Sequence, residues 1–353
     1  MTVRAAAGSA GGLAVRVCSE ADLAVWDAFV ETAPGATFFH LSGWKGIIEE
    51  VFRHRTCYLL AERSGEVVGI LPLAEVKSRI FGHSVSSLPF CVYGGTVVSD
   101  PAALAPLHEA AVQFARETGA AHLELRHRER QEPAWPSQDL YVTFRREILP
   151  EVEANLNAIP RKQRAMVRKG IKAGLRSVID EDVDGFFALY ADNVHRHGTP
   201  PFSKSYFRAL KHTFGDRCEC LLVLDSHDTP VSGVLSFYFR DEVLPYYAGD
   251  LPAARDLAAN DFKYWELMRR ACERGLRVFD YGRSKKGTGS HDFKKNWGFE
   301  PTPLHYEYCL LSADRIPENN PLNPKYRLFI ETWRRLPRPV VNWLGPHLVR
   351  QLG

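Results

Sequence analysis

Apolar and polar positions divide this chain into two runs of the same design. The first, CYLLAERSGEVVGILPLAEV from Cys57 to Val76, sets two apolar stretches around a polar turn at Gly65. The second, CLLVLDSHDTPVSGVLSFYF from Cys220 to Phe239, does the same around Asp228. Paired β-rich runs about a short polar turn predict antiparallel hairpins. A helix-like run with aromatic ends precedes each, Trp44 to Phe52 and Tyr206 to Phe214, and a strand bearing Tyr and Gly follows each, VYGGTVV around Tyr93 and PYYAGD around Tyr247. A helix and a buried strand then complete each run, FARETGAAHLELR ending at Arg126 and RACERGLRVFDYG ending at Gly282. Gly119 and Gly275 sit where a helix ends on a left-handed residue. The next strand carries a carboxylate in both copies, Glu124 and Asp280.

Element order, spacing and punctuation recur at roughly half the chain length, which predicts a duplicated domain rather than a short-period solenoid. Helix, antiparallel hairpin, Gly-marked strand, helix and strand is the order of the acetyltransferase-type (GNAT) fold, whose mixed sheet opens to admit an acyl donor. The fold class expected is therefore α/β (α+β): two tandem GNAT-like (acyl-CoA N-acyltransferase) domains with mixed, largely antiparallel sheets. The spacing places a flexible start at 1–13, a first domain at 14–150 closed by the strand Leu140 to Phe144, and a second at 151–315. A basic and aromatic tail, 316–353, completes the chain. At 353 residues, 45% of them hydrophobic, the chain is long enough for two cores of ordinary size.

Charge matters locally rather than in sum. A net charge of +3 does not mark a nucleic-acid binder, and no DNA partner is expected. Between Arg161 and Arg176, however, RKQRAMVRKGIKAGLR carries seven cations and no acid. Read as a helix starting after Pro160, it buries Val167, Ile171 and Leu175 and groups Arg161, Arg164 and Arg168 on another face. Solvated helix faces usually mix signs, so this one-signed face predicts contact with an anion or phosphate. The second cluster is VFDYGRSKKGTGSHDFKKNWGF, from Val278 to Phe299. A short strand spills into Gly282, Gly287 and Gly289 with Arg283, Lys285 and Lys286, then enters a helix bearing Lys294 and Lys295. Beyond the strand and its Asp280, five cations against Asp292, with glycines that let backbone N–H groups approach closely and a helix start beyond them, predict an anion-binding site. Phe293, Trp297 and Phe299 bracket the loop.

The other patterns exclude more than they offer. Seven cysteines are scattered through apolar strand or helix patterns, where free Cys acts as a small hydrophobe, and the chain reads as that of a reducing, cytoplasmic compartment. Cys218 and Cys220 share a strand face without a second pair, and His195 and His197 point apart on a helix, so no metal is expected. No G-x-G-x-x-G follows a strand and no P-loop is present. The Q/R-x-x-G-x-G/A loop that wraps the coenzyme A pyrophosphate in typical acetyltransferases is also missing. Neither a signal peptide nor a membrane span is visible. The tail mixes Trp333 and Trp343 with Arg334, Arg335, Arg338 and Arg350, a composition suited either to peripheral contact with the inner face of an anionic membrane or to packing on the body, and Pro337, Pro339 and Pro346 break any long helix.

Taken together, the helix RKQRAMVRKG, the strand LPFCVYGG ending at Gly95, the strand and loop FDYGRSKKGTG and the signature FKKNWGF resemble the FemAB family. They are most similar to the FemAB-related proteins found beside exosortase/PEP-CTERM exopolysaccharide systems, over roughly Val15 to Leu311. The resemblance implies N-acyl transfer to an amine. Better-known members take the acyl group from aminoacyl-tRNA and pass it to a peptidoglycan precursor. Those members grip tRNA with an inserted helical hairpin that has no obvious counterpart in this sequence. No permanent cofactor is implied; the acyl donor, aminoacyl-tRNA or acyl-CoA, is a co-substrate. The expected acceptor is a lipid- or nucleotide-linked saccharide or peptide. By the same resemblance Lys294, after Phe293 in the signature, steadies the tetrahedral oxyanion. Trp44, Tyr93, Gly94 and Gly95 are assigned to acceptor binding in the inter-domain cleft.

Acyl transfer also needs a group to take the proton of the attacking amine. Asp280, Tyr281, His291 and Asp292 are all candidates, and the sequence does not choose among them. Arg283 is expected to hold a phosphate or carboxylate of donor or acceptor. A non-catalytic scaffold of a polysaccharide assembly system is the remaining alternative.

Overall fold

A computed structural model describes residues 12–78, 81–317 and 324–352. Most of the expected flexible start therefore lies outside the described residues, as does the beginning of the tail at 318–323, while Leu13 already opens a strand, Leu13–Val17. The chain forms two compact units. One comprises Met1–Leu140, Pro303–Glu318 and Arg350–Gly353; the other comprises Tyr141–Thr302 and Asn319–Val349.

This division departs from a boundary near Pro150. Tyr141–Glu147 joins the second sheet, where it pairs antiparallel with Val278–Asp280 and Ser284–Lys285. The matching place in the first sheet is taken by His305–Leu310, which pairs antiparallel with His122–His127. Each unit thus completes its sheet with a strand from beyond its own half of the repeat. Local hydrophobic pattern marks such strands but does not say which sheet they enter.

In the first unit the strands run in the order Leu13–Val17, Arg55–Arg63, Glu66–Ser78, Gly82–Ser86, His122–His127, His305–Leu310 and Ser137–Gln138, with Val97–Val98 also paired to Glu66–Ser78. Leu104–Thr118 covers one face, burying Leu107, Ala111 and Phe114 against Leu59, Leu71, Leu73 and Leu123. The expected strand VYGGTVV is mostly irregular: only Val97–Val98 pairs, and Leu88, Phe90 and Gly94 adopt positive φ on the way to it. The second unit runs Ser284–Lys285, Tyr141–Glu147, Val278–Asp280, Glu242–Asp250, Pro230–Phe239, Cys218–Leu224 and Arg176–Asp180. Its core joins Phe144, Val234, Phe262, Trp265, Phe279, Trp297 and Phe299.

Both hairpin turns fall where the pattern put them, with Gly65 at φ +85° and Asp228 at φ +61°. Gly119 and Gly275 follow their helices at φ +73° and +74°, in the region where a side chain is strained. Each sheet includes a parallel strand pair among antiparallel neighbours. In the second unit, Glu242–Asp250 pairs with Val278–Asp280 only through Glu242 to Val278 and Val243 to Phe279. From Leu244 onward the first strand stays with Pro230–Phe239, while Asp280 stays with Arg145, so the sheet opens between them. In the first unit the corresponding place is bridged. Ser87 N–H donates to Glu124 O (2.8 Å), Gly95 N–H to Arg126 O (3.0 Å), and the Arg126 guanidinium to the carbonyls of Leu88 and Cys91.

Candidate active site

Lys294 occupies the end of the strand at which the second sheet opens. It lies on the short helix Gly289–Asn296, whose first turn is capped by the Thr288 hydroxyl accepting from His291 N–H. Only 8% of the residue is exposed. Its Nζ donates to three successive carbonyls, Tyr281 at 2.7 Å, Gly282 at 3.2 Å and Arg283 at 3.3 Å, and stands 5.6 Å from the centre of the Phe144 ring. Burial pulls the ammonium down to about 7, with the Asp280 charge opposing and Arg283 adding to the fall. The same helix brings His291 to Phe144, the rings meeting edge to face at 5.5 Å, and His291 Nδ1 lies 3.2 Å from Asp292 Oδ1. Positions three apart share a helix face, so Lys294 and His291 converge on one aromatic ring.

The other expected residues of this loop take more fixed positions. Asp280 is fully buried and accepts from Arg145 Nη1 (2.5 Å), Gly282 N–H (2.7 Å) and the Thr143 hydroxyl (3.3 Å). Its carboxylate is occupied as an anchor and is not presented to an incoming amine. Tyr281 packs among Tyr264, Phe279, Phe293 and Phe299, and burial raises its phenol well above the usual value. A phenol held neutral donates a hydrogen bond but does not take up a proton at neutral pH. Its hydroxyl is buried with no partner among the described residues. The Arg283 guanidinium lies over the Tyr141 ring at 4.5 Å, half-buried Lys285 is paired across the sheet from Tyr141, and Lys286 is exposed. Phe293 packs on Tyr264 and Trp297.

The helix Arg161–Lys172 forms as expected, but its buried stripe is Val167 and Gly170, followed by Leu175, whereas Ile171 is half exposed. A run of steps of four drifts around the helix, and Gly170 fills the inward position because Phe262 leaves no room for a β-carbon there. Arg164 donates to Asn157, while Arg161, Lys162, Arg168, Lys169 and Lys172 are exposed and form no ion pair among the described residues. Pro160, just before this helix, abuts Gly298, just after the Lys294 helix, so the basic helix starts beside the loop cluster.

In the first unit, Tyr93, Gly94 and Gly95 line a cavity of about 310 Å³ together with His40, Arg128 and Gln131. Trp44 does not line it; its side chain is wholly buried against Phe38 and Phe39. Tyr93, Gly94 and Gly95 carry a sequence signal, but His127 and Glu307, which hold the cavity wall, do not. His127 Nδ1 lies 2.7 Å from the fully buried Glu307, and its Nε2 accepts from Thr96 N–H. Burial alone would raise the Glu307 carboxyl, but the bonds from His127 and from the N–H groups of Gln131 and Glu132 outweigh it and hold the pKa low. His40 bridges Thr37 and the Gly95 carbonyl, and burial lowers it to about 4, so it stays neutral. A β-carbon on Gly95 would come within 2.0 Å of the His127 ring, so only glycine lets this loop lie against the strand. The described part of the tail packs on the second unit through Trp333, Val341, Gly345 on Pro201, and an Arg338 to Asp192 ion pair. Pro346 sits inside the helix Arg338–Val349 rather than ending it, and Trp343 remains 69% exposed.

Residues 161–295 match the family described as acetyltransferase (GNAT) domain. The solved structure of FemX superposes with a TM-score of 0.65, at 17% identity, over 84% of this chain and 97% of that one. L-PGS from Bacillus licheniformis gives 0.55 at 13% identity, over 93% and 100%. This chain has the tandem GNAT fold. A tandem GNAT protein from the clavulanic acid biosynthesis pathway gives 0.53 at 12% identity, over 86% and 100%. Among curated proteins none matches this sequence. In GNAT terms, the parting of Glu242–Asp250 from Val278–Asp280 is the opening of the second sheet, and Lys294 stands at its edge.

Proposed function

We propose that this chain is an N-acyltransferase that passes an acyl or aminoacyl group to an amine of an envelope or exopolysaccharide precursor. The observation that carries this reading is the buried Lys294 ammonium at the end of the strand where the second GNAT sheet opens. A tetrahedral oxyanion forming there meets a fixed positive charge in an apolar surround, where such charge acts most strongly. Lys294 supplies that charge, giving up its longest bond, to Arg283 O, when the oxyanion forms. His291 is the best placed proton acceptor, since Asp280 is fully bonded and Tyr281 stays protonated. Arg283 and the unpaired cations of the basic helix suit a donor rich in phosphate, a property shared by tRNA and coenzyme A. The match of residues 161–295 to an acetyltransferase family supports acyl-CoA as the second donor reading. The polar first-unit cavity, with Arg128 beside Tyr93, suits part of a hydroxyl- or amide-bearing acceptor.

The purified chain should gain thermal stability with its true donor by mass action. A shift with acyl-CoA that disappears in Arg283→Ala identifies a thioester donor; a shift with aminoacyl-tRNA alone identifies the aminoacyl reaction. No shift with either, together with unchanged polymer in a strain carrying Lys294→Ala at normal abundance, would leave the scaffold reading. Exposed Trp343 and Val340 support shallow contact with an anionic membrane. In the same preparation, failure to sediment with phosphatidylglycerol vesicles would remove that contact from the proposal.

Tyr281→Phe separates structure from chemistry. Removing a buried hydroxyl that has no partner among the described residues should leave stability unchanged or raise it by about 1 kcal/mol. A fall in kcat of about tenfold or more in the same variant would show that the hydroxyl bonds the reacting group. Unfolding curves and turnover of one preparation give both answers.

A further inference from the structure

The first unit holds a second cavity, of about 240 Å³, which shares no lining residue with the first. It lies between the start of Arg55–Arg63, the far end of Glu66–Ser78 and the chain end at Arg350 and Gln351. Arg53, Arg55, Lys77 and Arg350 line it, against one carboxylate, Glu75. That carboxylate is already engaged by Lys77 Nζ at 2.7 Å and His83 Nε2 at 2.8 Å. None of the three arginines has an acidic partner among the described residues; Arg55 lies over the Phe114 ring at 5.2 Å.

The backbone around the cavity is held in place. His54 is buried, burial lowers its pKa, and its Nε2 bonds the Arg350 carbonyl at 2.8 Å, which ties the chain end to the cavity wall. The His54 ring also stacks on Phe90, which in turn stacks on Phe52 at 3.9 Å. Arg53 adopts φ +59°, a conformation unfavourable for a side-chain-bearing residue. Strain of this kind persists where surrounding structure enforces it, often where a ligand is held. Four cations line this cavity against one carboxylate that already has two partners, an excess of positive charge that an anion would relieve, and the planar guanidinium fork matches phosphate oxygens two at a time.

We propose that this cavity is a binding site for a small phosphate anion, a diphosphate or a phosphate monoester. It is separate from the Lys294 cluster, and its failure would leave the acyl-transfer reading untouched. The test is isothermal titration of the full chain at low ionic strength with pyrophosphate, orthophosphate and glucose 1-phosphate, each against sodium chloride of matched ionic strength. Arg55→Gln and Arg350→Gln should each weaken binding by about tenfold or more, the loss expected of a bidentate contact. Without ligand their melting temperatures should be equal to or above that of the parent chain. Arg53→Asn, which keeps a residue tolerant of positive φ, gives the same reading if either glutamine variant folds poorly. The relative affinities of the three probes distinguish a diphosphate from a monoester. Binding no stronger than the salt control, or unaltered in all three variants, would overturn the proposal. So would binding that is lost instead in Arg161→Gln with Arg168→Gln, which would move the anion to the basic helix.

Discussion

Lys294→Met should lower kcat by roughly 100- to 1000-fold, the size of effect seen when one oxyanion donor is removed from an acyl-transfer site. Methionine keeps the length and packing of the side chain and removes only the charge and its three donors. KM should change little, because the charge is used only as the oxyanion forms. The pH profile gives a sharper reading. Burial brings Lys294 to about 7, so if the ammonium is the working form, kcat falls as pH rises through that value. A rise through the same value would instead make the neutral amine a proton acceptor and overturn the oxyanion role. Stability should move the other way. The folded pKa lies below the unfolded value of 10.5, so between about 7 and 10.5 the unfolded chain binds more protons and stability increases with pH. Relative to Lys294→Met, the parent chain should gain at most about 1.4 kcal/mol per pH unit in that window. Denaturant unfolding of both proteins at pH 7 and 9 checks the sign.

The fold was legible wherever local chemistry decides it. Gly65, Asp228, Gly119 and Gly275 each occupy a backbone conformation that few residues adopt, so they could be placed without tertiary information. Strand membership was less accessible. Tyr141–Glu147 and His305–Leu310 have apolar patterns that suit either sheet, and their pairing is set by partners far along the chain. The Lys294 loop announced itself because its cations, glycines and aromatics lie within one stretch of sequence. The first-unit cavity did not, since His127 and Glu307 lie 180 residues apart and neither neighbourhood is unusual alone. Trp44 shows the opposite failure. Aromatics in such places are more often core than ligand contact, and only the resemblance tipped Trp44 toward acceptor binding; packing against Phe38 and Phe39 made it core. The three-carbonyl cradle of Lys294 was also beyond the sequence, because it depends on the turn that Gly282 makes at φ +63°.

Asp280→Ala should destabilise the second unit by about 3–5 kcal/mol, the cost of removing one partner from a buried ion pair. The carboxylate has no exposed surface and three partners, and each loss acts on a different part of the site. Arg145 would lose one of its carboxylate partners and keep Glu242. Thr143 would lose its bond to Asp280, and Gly282 N–H would lose the bond that fixes the turn whose carbonyls cradle Lys294. Asp280→Asn retains an acceptor for Gly282 and Thr143 and removes the charge, so it should cost less. The asparagine variant also distinguishes anchoring from proton transfer. A general base contributes roughly 100- to 10000-fold, and asparagine cannot replace it. An anchor should leave kcat within about tenfold, with the pH midpoint assigned to Lys294 moved downward, because the Asp280 charge that raises it is gone. Loss of activity on the scale of a general base in a folded Asp280→Asn protein would return Asp280 to the chemistry, whereas retained activity with a lowered midpoint would establish that it acts through Lys294.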